Sequence, residues 1–94
     1  MLKKYPSNQK IPIGEIGRSF IIKEISDDDF MNNIVGKIIF TEASGENVLE
    51  YVWHKHEDIP INIDIMRKNG HIKFEPEFVE FKSEVIPGNV MVEF

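Results

Sequence analysis

The stretch "INIDIMRKNGHIKFEPEF", Ile61 to Phe78, decides how the chain is read. Apolar and polar residues alternate on both sides of Asn69-Gly70, and a two-residue period is that of a half-buried strand. Asn-Gly between alternating runs signals a two-residue type I′ turn, because both central positions need φ > 0. The spacing therefore predicts a β-hairpin with Lys68 opposite His71, Arg67 opposite Ile72, Ile65 opposite Phe74 and Ile63 opposite Pro76. One face of that ribbon carries Ile61, Ile63, Ile65, Ile72, Phe74 and Phe78. The other carries Asn62, Asp64, Met66, Lys68, His71, Lys73, Glu75 and Glu77, so one face is for the core and one for solvent. Pro76 has no N–H to donate, which puts the second strand at an edge or bends it there.

Upstream, "FTEASGENVLEYVW" (Phe40 to Trp53) predicts a second hairpin. A turn at "SGEN" with Gly45-Glu46 at its tip pairs Phe40 with Tyr51, Ile38 with Trp53 and Glu42 with Leu49. The opposite face holds Ile39, Ala43, Val48 and Val52, so both faces are substantially apolar. The strand "RSFIIKEI" (Arg18 to Ile25) shares this character. Such strands need cover on both faces, from a helix, a second sheet or another subunit. At the C-terminal end, "EVIPGNVMVEF" (Glu84 to Phe94) reads as a Pro-Gly turn followed by Val90, Val92 and Phe94 on one face.

One helix signal interrupts the β pattern. In "SDDDFMNNIVG" (Ser26 to Gly36), Ser26 caps, Asp27 to Asp29 occupy the first turn and Gly36 stops the run. A short helix near residues 27–35 follows. The acidic triplet lacks the alternate spacing, central glycine and distant glutamate of a calcium loop. The sum is a mainly β protein (β-rich α+β) forming a single globular domain over residues 1–94. Its expected architecture is a compact antiparallel β-sandwich or partly open β-barrel of six to seven strands with one short helix.

Composition sets the bounds on function. Ninety-four residues suffice for one core, and 41% hydrophobic with 29% charged residues is an ordinary folded balance. There is no cysteine, hence no disulfide, thiol chemistry or Cys-type zinc site. No apolar run is long enough to predict a membrane helix. "MLKKYPSNQK" (Met1 to Lys10) has no apolar run behind its lysines, so no secretory signal is read there and a cytoplasmic protein is expected. Eleven basic residues face sixteen acidic ones, for a net charge of −5. The adjacent basic pairs Lys3–Lys4 and Arg67–Lys68 make no stripe, so direct nucleic-acid binding is not expected. An acidic chain favours a basic partner instead.

Candidate chemistry is sparse. In "YVWHKHEDIP" (Tyr51 to Pro60), an extended strand places His54, His56 and Asp58 on one face. Two imidazoles and a carboxylate at alternate positions are a candidate zinc or non-haem metal set. The His-x-His pair is similar to the first metal motif of the cupin barrels. That motif continues with a glutamate a few residues on and then a glycine, whereas Glu57 follows too closely and with opposite orientation. Only His71 lies downstream, and the chain is not assigned to that family. A charged run before Pro60 is also the composition of a strand end passing into a loop. That second reading is preferred, with no metal and no cofactor.

No G-x-S-x-G elbow or phosphate loop is present. Asp64 and Glu75 face each other in the hairpin register, as an acid–base pair would, but the face around them is uniformly polar and reads as solvated. The functional expectation is a non-enzymatic, small acidic protein-binding module. It would be an inhibitor or accessory subunit of the phage or mobile-element type that engages a basic protein surface. Asp64, Glu75, Glu77, Tyr51 and Trp53 are its candidate partner-binding residues. The alternatives are a small-ligand- or metal-binding β-barrel using His54, His56 and Asp58, and a structural subunit of a larger assembly. A homodimer is expected, through strands 37–43 and 48–54 or through the C-terminal strand, whose backbone groups must pair somewhere.

Overall fold

A computed structural model describes residues 1–23, 34–54, 58–82 and 89–94. Among them are eight strands and two short helices. They are β1 (Leu2–Pro6), β2 (Lys10–Pro12), α1 (Ile13–Ile16), β3 (Ser19–Ile22), β4 (Ile34–Thr41), β5 (Val48–His54), β6 (Ile59–Asn62), α2 (Ile63–Lys68), β7 (Phe78–Lys82) and β8 (Asn89–Glu93). Two four-stranded antiparallel sheets form, in the orders β1-β8-β3-β6 and β2-β7-β4-β5. The sheets are not closed into a barrel, and the sandwich expectation holds.

Strand alternation builds the core. Phe20 and Ile22 of β3, Ile61 of β6 and Val90 and Val92 of β8 are buried from the first sheet, and Ile38, Phe40, Val79 and Phe81 from the second. Phe20 and Phe81 meet edge to face across the two sheets at 6.4 Å between ring centroids. Burying a side chain of this size is worth about 1.5–3 kcal/mol, and it is these layers that hold the sheets together.

The sheets are joined by crossings at both ends. Ile22 pairs with Ile59, Asn89 with Pro6, Ile34 with His54 and Lys37 with Lys82. The short turn at residues 7–9, with Asn8 at φ 61°, carries the chain from Pro6 of one sheet to Lys10 of the other. The strand ends flanking residues 7–9, 24–33, 55–57 and 83–88 therefore gather at one end of the sandwich. At the other end α1 leads from β2 to β3 and α2 from β6 towards β7. The two helical crossings mirror each other: the Ile13 N–H donates to the Glu77 carbonyl and the Ile63 N–H to the Arg18 carbonyl. Each carbonyl belongs to the residue just before a strand, β7 and β3 respectively.

The stretch 61–78 corrects the sequence reading. It is not a hairpin: β6 stops at Asn62, and Ile63–Lys68 is helical. The Asn62 side chain caps the helix by accepting the Ile65 N–H at 3.1 Å, Asp64 sits in the first turn, and Arg67 and Lys68 sit in the last. Those charges suit the helix ends. Asn69 has φ −84° and ψ −2°, and only Gly70 is left-handed, at φ 78°. A type I′ turn needs both residues at positive φ, so it cannot form. Instead the His71 N–H reaches the Met66 carbonyl at 2.8 Å and the Gly70 N–H reaches that of Arg67 at 3.1 Å. This double closure is a Schellman motif with glycine at C′. Residues 71–77 are not a strand, and Pro76 is buried in this connection rather than placed on a sheet edge.

The hairpin of β4 and β5 is present but slipped by two residues. Phe40 pairs with Leu49 and Ile38 with Tyr51, not Tyr51 and Trp53 as expected. Ser44 sets the difference: its hydroxyl donates to the Glu42 carboxylate and accepts the Glu46 N–H at 3.3 Å, which starts the turn at Glu42. A slip of two leaves every side chain on its expected face.

Other departures are plainer. Of the helix expected near 27–35, residues 27–33 lie outside the described residues, and Ile34 and Val35 begin β4. The sequence reading missed β1, β2 and α1 altogether. The C-terminal strand is interior, since β8 pairs with β1 on one side and β3 on the other. Its backbone demand is met within the chain, and that argument for a dimer falls away.

Candidate functional site

Among the described residues, the helix-bearing end holds the most elaborate polar cluster. Arg18, in the short link between α1 and β3, sends its guanidinium to Asp64 of α2 at 2.8 Å and to Glu75. Arg67 of α2 reaches the other Glu75 oxygen at 2.6 Å. Glu75, and after it Asp64, raises the Arg18 pKa still further above its ordinary value, so the guanidinium keeps its charge throughout. Asp64 and Glu75 are indeed neighbours, as the sequence reading had them, but an arginine stands between them. Their charge is matched in place. These are exposed ion pairs, which orient side chains more than they stabilise.

Beside this cluster runs an open groove of about 530 Å³, lined by Ile21, Pro60, Ile65, Met66 and Phe94 among others. Ile65 and Phe94 are 53% and 46% exposed. Ser19, Asn62 and Glu93 add polar atoms to its wall.

The other expected site residues are scattered. Glu77 is exposed, and its backbone bonds to Thr41 and Ile13. Tyr51 is half-buried on the core side of β5, edge to face with Phe40 at 6.4 Å. Trp53 lies opposite Gly36 in β5. Of the candidate metal set, His54 ends β5 and His56 lies outside the described residues. Asp58 accepts from Lys23 Nζ at 2.8 Å, and this contact, followed by Glu93, raises the Lys23 pKa. No cluster of three potential metal ligands occurs among the described residues.

Charge is divided unevenly along the chain. The described residues hold ten carboxylate side chains and ten lysines and arginines. The surplus of −5 thus belongs to residues 24–33, 55–57 and 83–88, which contain Glu24, Asp27, Asp28, Asp29, Glu57 and Glu84 against Lys55 alone. All three segments are flanked by strand ends at the same end of the sandwich, opposite Arg18. Arg18 was missed because its partners lie 46 and 57 positions away. No helix among the described residues is long and apolar enough to cross a membrane. Comparison with protein-family models, curated proteins and solved structures gives no match.

Proposed function

We propose that the protein is a non-enzymatic, cytoplasmic binding module that engages a basic protein surface, as an inhibitor or accessory subunit does, and that it works as a homodimer. One observation carries the reading. The described body is electroneutral, and the whole acidic surplus falls in segments flanked by one end of the sandwich. Charge collected at one pole attracts and orients a partner of opposite sign more strongly than the same charge spread over the surface. Asp64 and Glu75, already bound by Arg18 and Arg67, contribute little to that field.

The test is capture of partners from the native cell by tagged protein, with identification of what co-elutes. The experiment is run in parallel with the triple variant Asp27→Asn, Asp28→Asn, Asp29→Asn. The expected result is a basic protein that is lost with the variant and at about 1 M salt, where the Debye length shrinks to about 3 Å. A partner held equally by both forms at high salt would refute the electrostatic reading.

A further inference from the structure

We propose that two copies join through the edge of β5 that no strand among the described residues pairs with, in antiparallel register about a two-fold axis at Glu50, placing Val48 of each copy against Val52 of the other. This rests on the homodimer reading above and names its interface.

The sheet edges differ in how they are guarded. Strands β1 and β6 border one sheet, and β2 and β5 the other. Three of these four carry a proline: Pro6 in β1, Pro12 in β2 and Pro60 in β6. Strand β1 adds Lys3 and Lys4, and β2 and β6 are only three and four residues long. Proline, lysine and shortness are the means by which proteins prevent edge-to-edge pairing. Strand β5 has none of them. It runs seven residues, "VLEYVWH", with neither proline nor lysine. Among the described residues its ladder partner is β4 alone.

The hydrogen-bond phase shows which groups the edge offers. The Glu42 N–H donates to the Asn47 carbonyl, so Leu49 and Tyr51, at alternate positions beyond, turn their backbone groups towards β4. Val48, Glu50 and Val52 then present theirs outward. Their side chains share the face away from the core, with Val48 50% and Val52 44% exposed.

The segment is also close to palindromic. About Glu50, Val48 mirrors Val52 and Leu49 mirrors Tyr51. An isologous pairing therefore sets valine against valine twice, which suits cross-strand packing. At the axis Glu50 meets its own copy, a repulsion tempered by Lys37 at 3.6 Å from each carboxylate. The sheet β2-β7-β4-β5 would become one eight-stranded sheet across the dimer.

The absence of cysteine makes the test clean. Paired residues of this kind have Cα atoms about 5.5 Å apart, within disulfide range. Glu50→Cys should therefore cross-link to itself on mild oxidation. Val48→Cys should not, because its own copy lies four residues along the partner strand, about 13 Å away. Mixed with Val52→Cys, however, it should cross-link. Val52→Lys should convert the dimer to monomer in light scattering while keeping the wild-type circular dichroism spectrum, and Glu50→Gln should tighten it. A dimer in which Glu50→Cys fails to cross-link, or in which Val48→Cys links to itself, overturns this interface and leaves the homodimer reading standing. A wild-type monomer at micromolar concentration overturns both.

Discussion

The chain turns twice on a glycine of nearly the same conformation, Gly45 at φ 76° and Gly70 at φ 78°, with opposite results. At Gly45 a strand reverses and pairs with its predecessor. At Gly70 a helix ends and the chain continues across the sandwich. Glycine marks where a left-handed residue is needed and says nothing of what the turn connects. The neighbours decide. Ser44 ties Glu42 and Glu46 into a loop that returns β5 to β4. Asn62 caps a helix eight residues before Gly70, and Asn69 stays right-handed.

The largest effect that would break this contrast lies in the isoleucines before Gly70. Ile63 is fully buried and Ile65 is 53% exposed, whereas a hairpin puts both in the core. Ile63→Ala should cost about 2–5 kcal/mol and Ile65→Ala less than about 0.5 kcal/mol in denaturant melts. Equal losses would restore the hairpin.

Next come the glycines. Apart from the adjoining residues, no atom of the described residues lies within 4 Å of a Cβ built at Gly45 or Gly70, so alanine at either meets only backbone strain. Each substitution should cost about 1–2 kcal/mol. Asn69→Ala separates the two kinds of turn. Asn69 is right-handed, so the change should leave stability within about 0.5 kcal/mol, whereas a type I′ turn would suffer. The cap is of similar size: Asn62→Ala should lower stability by about 1 kcal/mol and raise amide exchange at Ile65.

The smallest effect is on the hairpin side and depends on pH. The Ser44 hydroxyl, then Asn47, lowers the Glu42 pKa below its ordinary value of 4.5. A carboxylate lowered on folding stabilises the fold above its unfolded pKa and loses that contribution as pH falls through the folded value. The stability gap between wild type and Ser44→Ala should thus be full at neutral pH and narrow below about pH 4.5. A gap that stays constant as the pH is lowered through the acid range would remove Glu42 from the turn.

How far the sequence could be read follows from the same contrast. The faces of β4 and β5 were legible because alternation survives a slip of two, and the β-rich class followed from many such runs. The segment 61–70 was not legible. Its isoleucines at alternate positions fit a strand, while "NIDIMRKNG" also carries a cap, an early acid, late bases and a terminal glycine. Two complete local codes coincide there and both bury Ile63 and Ile72; they part at Ile65, which the hairpin buries and the helix leaves 53% exposed. Strands β1 and β2 escaped notice because the edge prolines and lysines that guard them also blur their pattern. As for the site, Asp64 and Glu75 were rightly placed together from a wrong register, and Arg18 was invisible for want of any local signal.

The most direct measurement is nuclear magnetic resonance of residues 61–78 in the uniformly labelled protein. The capped helix predicts helical Cα shifts and sequential amide–amide Overhauser contacts from Ile63 to Lys68, with Gly70 left-handed. Cross-strand contacts between Arg67 and Ile72 and between Ile65 and Phe74, with strand-like shifts on both sides of Asn69-Gly70, would contradict it.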